Sequence, residues 1–230
     1  MRDRATVTLD RREGPYGEVV LRRRGEHHEI IANGCFLMDT SDGRSERLLI
    51  DAARDALTTA AGGAPGAGGP SVLIGGLGVG FSLAHAAADP RWGRIAIVER
   101  EQAIIDWHFS GPLSHISAAA LADPRSVILR TDLLTHLRET EDRYDALCLD
   151  IDNGPDWTVT DDNENLYSPA GLALCKRRLL PGGVLAVWSA RPSRSFEETL
   201  RNAGFTGVRT EEIRVARGVP DAVHLAVRPA

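Results

Sequence analysis

Two rhythms of apolar residues divide the chain. Up to about residue 61, short stretches alternate apolar and polar positions: Thr6–Leu9, Gly17–Arg22 and His28–Ala32, separated by Gly, Pro and Asn. A period of two broken by turn residues predicts a small antiparallel sheet. Asn33-Gly34 is a favoured two-residue hairpin turn. Ser45 then precedes ERLLIDAARDAL, in which Leu48, Leu49, Ala52, Ala53 and Ala56 recur at helical spacing. That predicts a helix with Ser45 as its N-cap. Gly62–Pro70 (GGAPGAGGP) reads as a flexible connector. It separates an N-terminal segment, 1–61, from a second unit, 71–230.

From Ser71 onward the rhythm changes. Continuous apolar runs at 71–75, 94–98, 127–129, 144–150 and 184–188 read as buried strands. Helical patterns lie between them. One follows the glycines after Ser71 and runs to Asp89-Pro90. Others cover Glu101–Phe109, closed by Gly111-Pro112; Leu133–Arg138; Ser168–Leu179, stopped by Pro181-Gly182-Gly183; and Ser193–Ala203. Val208–Val215 and Ala222–Val227 close the chain as an antiparallel pair. Strands alternating with helices across short loops predict an α/β fold, a parallel sheet covered on both faces.

Composition narrows the class. The chain has 230 residues, 43% hydrophobic and 26% charged, as in a soluble globular protein. No run approaches the ~18 apolar residues of a membrane span, and MRDRATVTLDRRE is no signal peptide. Cys35, Cys148 and Cys175 are odd in number, far apart and set among apolar neighbours. They read as reduced core or half-buried thiols of a cytoplasmic protein. A net charge of −5 argues against a nucleic-acid partner. Arg22–Arg24 reads as a solvated strand edge, and so does His27-His28. His108 and His115 lack a companion set of ligands, so no metal is expected.

The candidate chemistry starts at SVLIGGLGVGFSL, Ser71–Leu83. Gly75, Gly76, Gly78 and Gly80 follow a buried strand and open a helix. Such a turn lets backbone approach a ligand closely, although a G-x-G-x-G also suits a plain tight turn. About twenty residues on, Glu99 ends the second strand with Arg100 beside it. A carboxylate there can accept both hydroxyls of a ribose. Asp132 and Asp150 end the third and fourth strands. In open parallel sheets, ligands sit at those carboxyl ends. The convergence points to a nucleoside-binding domain.

Taken together, GGLGVG, Glu99, DPRSVILRTD (123–132), YDALCLD (144–150) and LYSPAGLALCKRRLLPGGVLAVWS (166–189) resemble the spermidine synthase-like group of class I S-adenosylmethionine-fold transferases. The match extends over about 160 residues in order, and ANGCFLMDTSDGRSERLLI resembles that group's small substrate-side sheet. The resemblance implies a class I methyltransferase-type, Rossmann-like, seven-stranded sheet and a homodimer. It implies that Glu99 holds the ribose, Asp132 accepts from the adenine amino group and Leu133 lies against the adenine ring. Asp132 also suits the N-cap of its helix. Asp150 matches the first carboxylate of the group's Asp-x-x-Asp-Pro loop, as base or amine anchor.

Three departures from that pattern alter the expectation. The group's turn reads GGGDG, and Gly78 stands where its acid would contact the amine of decarboxylated S-adenosylmethionine. A close opposite-charge contact of that type is worth on the order of 1–4 kcal/mol. Asn153 replaces the second loop acid, with Asp152 adjacent. Ser45-Glu46-Arg47 replaces Tyr-His-Glu at the N-terminal helix, which disfavours an orthodox spermidine synthase.

Between Asp150 and Glu164 lie six carboxylates, Asp150, Asp152, Asp156, Asp161, Asp162 and Glu164, with no Lys, Arg or His among them. This loop suits a solvated surface, or a lid that gathers a cationic substrate, with Trp157 covering it. The expected activity is transfer from S-adenosylmethionine, or its decarboxylated form, to an amine-bearing small molecule. A methyltransferase and a catalytically lapsed nucleoside-binding protein are the alternatives.

Overall fold

The computed structural model describes residues 6–60, 68–151, 154–156, 165–215 and 218–230. The alternating N-terminal stretches form one antiparallel sheet: β1 (Thr6–Gly14), β2 (Gly17–Arg24), β3 (His27–Ala32) and β4 (Cys35–Asp39), in that order. Asn33 and Gly34 both take positive φ, 50° and 78°, as a tight hairpin with right-handed strand twist requires. Val19, Leu21 and Ile30 face inward and join the main core.

The charged residues of this sheet behave differently from the sequence reading. Arg23 and Arg24 are solvent-exposed as read, but β2 is an inner strand rather than an edge, and Arg22 and Arg24 both pair with Glu29, which is buried. A carboxylate enclosed there needs a cation beside it, because a lone buried charge is costly. His27-His28 likewise lies on an inner strand, paired to both β2 and β4. Cys35, just past the hairpin turn, is exposed rather than half-buried, whereas Cys148 and Cys175 are buried.

Helix α1 (Arg44–Ala60) begins two residues earlier than an N-cap at Ser45 predicts. The carbonyl of Gly43 accepts from Arg47 N–H, and the Asp42 carboxylate accepts from Arg44 N–H at 3.1 Å. Ser45 therefore sits inside the helix and donates to Glu46 Oε2 at 3.1 Å. The inner face of α1 buries Leu49, Ile50 and Ala53, each large side chain contributing about 1.5–3 kcal/mol. That face lies across the large sheet.

The second sheet contains β5 (Ser71–Gly75), β6 (Arg94–Glu99), β7 (Ser126–Arg130), β8 (Tyr144–Leu149), β9 (Leu179–Ser189), β10 (Thr206–Ile213) and β11 (Asp221–Val227). Their spatial order is β10-β11-β9-β8-β5-β6-β7. Strands β5 to β9 pair in parallel, and β11 runs antiparallel to both β9 and β10. This is the seven-stranded Rossmann-like sheet expected. The chain builds outward from β5 through β6 to β7, then returns to add β8 and β9 on the other side. A crevice opens where the direction reverses, at the carboxyl ends of β5 and β8.

Helices cover both faces. On one side α1, α2 (Phe81–Ala88), α3 (Gln102–Phe109) and α4 (Ser114–Leu121) pack against Val72, Ile74, Ile95 and Ile97. On the other, α5 (Leu133–Glu139), α6 (Pro169–Arg178) and α7 (Arg194–Asn202) pack against Leu73, Val98, Leu147 and Leu149. Adjacent strand residues thus serve opposite cores. Helix α4, an alanine-rich stretch with little amphipathic signal, was not foreseen. Strand β9 also starts earlier than Val184, immediately after α6. Its register breaks around Leu180–Gly183, where Gly182 and Gly183 exchange backbone hydrogen bonds with Arg228. No described helix is long and apolar enough to cross a membrane.

Candidate functional site

A cavity of about 470 Å³ occupies the crevice, within the usual ~300–1,000 Å³ of small-molecule sites. Its floor is the end of β5, β6 and β8. The small sheet roofs it through Tyr16, Phe36 and Met38, and α1 and β11 close one end through Glu46 and Asp221. Gly76, Gly78, Glu99, Arg100, Asp132, Leu133 and Asp150, widely spaced in sequence, all line this one space. Gly75 lies beneath Leu133, and Gly80 opens α2 behind the turn.

The turn is close-fitted. Gly76 has φ +92°, and a Cβ there would come within 2.5 Å of the Asp150 carbonyl oxygen. Gly78 has φ +50°, and the place a Cβ would take is filled by the Met38 sulfur. That sulfur also accepts from Val79 N–H at 3.2 Å. A thioether from β4 thus stands where the related turn carries an acidic side chain.

Glu99 is buried at the end of β6. One carboxylate oxygen accepts from Leu77 N–H at 3.0 Å and the other from Glu101 N–H at 2.8 Å. Burial pushes its carboxyl above the ordinary range, and the two backbone donors pull it back. Each oxygen keeps a further lone pair for a hydroxyl donor. Arg100 stacks on Tyr16, 4.3 Å from the ring centre, and closes the wall beside Glu99. Asp132 caps α5 by accepting from Thr135 N–H at 2.9 Å, as its place before Leu133 predicts.

The opposite end is acidic. Among the described residues, the lining carries nine carboxylates and a single guanidinium, Arg100. The charges of Glu46 and Asp221 raise the proton affinity of Asp150, that of Asp221 raises Glu46, and that of Asp42 raises both Glu46 and Asp221. Asp150 is pushed up to about 8, by burial first and then by the Glu46 and Asp221 charges. Burial raises Glu46 and Asp221 too. Such a cluster holds protons when empty and gives them up to an arriving cation.

Not every residue expected at the site is there. Arg47 turns away and stacks on Phe81 at 5.7 Å, outside the cavity lining. Asp152, Asn153 and Trp157 lie outside the described residues, as do Asp161, Asp162 and Glu164. Asp156 is described and accepts from Ser193 Oγ at 3.0 Å. Among the lining residues that the sequence reading missed are Met38, Asp221 and Trp188. The only signal for Asp221 was an acid opening a terminal strand. Met38 and Trp188 carried none, because a hydrophobic residue in a strand reads as core.

No model of a known protein family matches the chain. Curated relatives do. Polyamine aminopropyltransferases of Mycobacterium tuberculosis and Mycobacterium bovis are 28% identical over 205 residues, covering 84% of this chain and 36% of theirs. Polyamine aminopropyltransferase 1 of Streptomyces coelicolor is 30% identical over 150 residues, covering 61% of this chain and 28% of its own. The chain therefore spans about a third of the length of these relatives. Among solved structures, spermidine synthase from Thermotoga maritima superposes with a TM-score of 0.73 at 14% identity, over 96% of this chain and 72% of that one. A spermidine synthase in complex with the transition-state analogue AdoDATO gives 0.72, also at 14% identity. In sequence the chain is similar to polyamine aminopropyltransferases, and in fold it is similar to spermidine synthases.

Proposed function

We propose that this protein is an aminopropyltransferase-type enzyme that alkylates a small amine with decarboxylated S-adenosylmethionine. The observation that carries the reading is the charge of the cavity, nine carboxylates against Arg100 alone. A doubly cationic donor and a cationic amine suit such a space, and an α-carboxylate does not. The curated aminopropyltransferases support the same reading.

The residues fit a nucleoside donor. Glu99 offers lone pairs at the ribose end, Leu133 gives an apolar wall, and the side-chain-free Gly76 and Gly78 permit close approach. When bound, the donor supplies a sulfonium, whose thioether leaves neutral without acid assistance. The chain's own work is alignment and proton transfer. The amine nitrogen forms a bond to the carbon beside sulfur, and the carbon–sulfur pair passes to sulfur. The nitrogen's proton passes to Asp150, which is ionised once a cation sits between it, Glu46 and Asp221. Asp152 and Asn153, following Asp150, are proposed to steady the amine, and Trp157 to cover it.

Methyl transfer from intact S-adenosylmethionine is the second reading, favoured by Met38 in place of an acid against Gly78. Calorimetric titration with the two donors separates them. A preference of tenfold or more, about 1.4 kcal/mol, for the decarboxylated form, with 5′-methylthioadenosine as product, supports aminopropyl transfer. The reverse preference, with S-adenosylhomocysteine as product, refutes it.

A further inference from the structure

The glycine turn is held from behind by a residue that the chemistry above does not use. His108, in the last turn of α3, is 1% exposed. Its Nε2 lies 2.9 Å from the Gly78 carbonyl oxygen, and its Nδ1 lies 2.7 Å from Ser117 Oγ on α4. A carbonyl can only accept, so Nε2 carries the proton. Nδ1 of the neutral ring then accepts, and the Ser117 hydroxyl donates. Burial holds His108 below the ordinary histidine range and so keeps the ring neutral. The ring also lies flush with the turn: a Cβ on Gly80 would come within 2.7 Å of His108 Cε1.

Four glycines in six residues leave this turn with many accessible backbone orientations. Backbone bonds close the turn, Gly76 N–H to the Val98 carbonyl at 2.9 Å and Gly80 N–H to the Leu77 carbonyl at 2.8 Å, and side chains choose among the orientations that remain. Leu77 N–H is taken by Glu99 and Val79 N–H by Met38, and the Gly78 carbonyl is taken by His108. The first two hold the cavity side and, among the described residues, His108 is the side chain that bonds the Gly78–Val79 peptide from the helical layer.

We propose that His108 is a positioning residue for the nucleoside donor, fixing the Gly78–Val79 peptide so that the turn meets the donor in one orientation. Ser117 sets the tautomer that makes this possible. The role rests on the donor reading above, and a readout on the turn itself is independent of that reading.

The test uses the full chain with His108→Gln and His108→Asn. The glutamine amide reaches as far as the ring Nε2 and can still donate to Gly78; the asparagine amide stops near the depth of Nδ1. The probe is 5′-methylthioadenosine by calorimetry, with amide hydrogen exchange across 77–81 and steady-state kinetics in parallel. His108→Gln is expected to bind within threefold of wild type. His108→Asn is expected to bind at least tenfold more weakly, to exchange faster at Val79 and Gly80, and to raise the donor KM more than the amine KM. Wild-type affinity and wild-type exchange in His108→Asn would overturn the role. Failure of the wild-type protein itself to bind the nucleoside would overturn the donor reading, and this role with it.

Discussion

Replacing Glu46 by Gln tests the proton held in the acidic end of the cavity. With Asp150 near 8, the empty protein at pH 7 keeps that carboxyl about nine-tenths protonated. A cationic donor favours the ionised form, so binding at pH 7 is expected to release about 0.9 proton. Glu46 is the second cause of the upward displacement, after burial. A neighbouring like charge at an effective dielectric of ~20–40 is worth on the order of 1–2 kcal/mol, or roughly one pH unit. Burial raises Glu46 as well, and the substitution removes its charge from beside Asp150. Asp150 then falls to near neutrality, and release drops to about half a proton. Titrating decarboxylated S-adenosylmethionine in phosphate and in Tris gives the number directly, from the dependence of heat on buffer ionisation. Neutral 5′-methylthioadenosine, which has no ammonium, serves as the control and should release much less. A bound donor with no buffer dependence, or an unchanged slope in Glu46→Gln, would refute the shared-proton account.

Three further outcomes follow from the same geometry. Asp150→Asn should abolish turnover yet stabilise the empty protein. Protonation of Asp150 favours the fold below the unfolded value near 4, and that contribution is lost as pH rises through about 8. The variant's advantage in chemical denaturation should therefore be larger at pH 8.5 than at pH 5, by about 1–3 kcal/mol after allowance for water in the cavity. Asp132→Ala removes the cap on Thr135 N–H and should cost about 1 kcal/mol in urea melts. Asp132→Ser should restore stability but not nucleoside affinity, if the carboxylate also meets the base. Gly78→Asp should lower the thermal midpoint, by about 1–3 kcal/mol equivalent, because its φ is +50° and Met38 fills the space. Adding Met38→Ala should recover part of that loss, and no recovery would show that backbone strain alone is responsible.

The sequence made legible what is set within a few residues. The apolar runs around Val72–Ile74 and Leu147–Leu149, the Asn33-Gly34 hairpin and the Asp132 cap all appear as read, since each depends on backbone preferences and near neighbours. Local reasoning also misplaced the start of α1. Ser45 and Asp42 are both plausible caps by type, and only the path of the chain from β4 decides that Asp42 meets the first free N–H. Likewise nothing local shows that Arg22 and Arg24, solvated as they look in sequence, also pair with the buried Glu29 on the next strand.

The individual strands, their alternation with helices and a crevice at the strands' carboxyl ends were thus legible in the sequence, because each rests on local periodicity, whereas the seven-stranded Rossmann-like plan was implied by the resemblance. What only the tertiary structure decided is the chemistry at the two ends of the cavity. Strand order brings Asp221 beside Asp150, α1 adds Glu46, β4 lays Met38 over Gly78, and α3 sets His108 behind it. Those contacts join residues tens of positions apart. Pairwise proximity at that separation is fixed by the packing of whole elements against one another, and no local pattern encodes it.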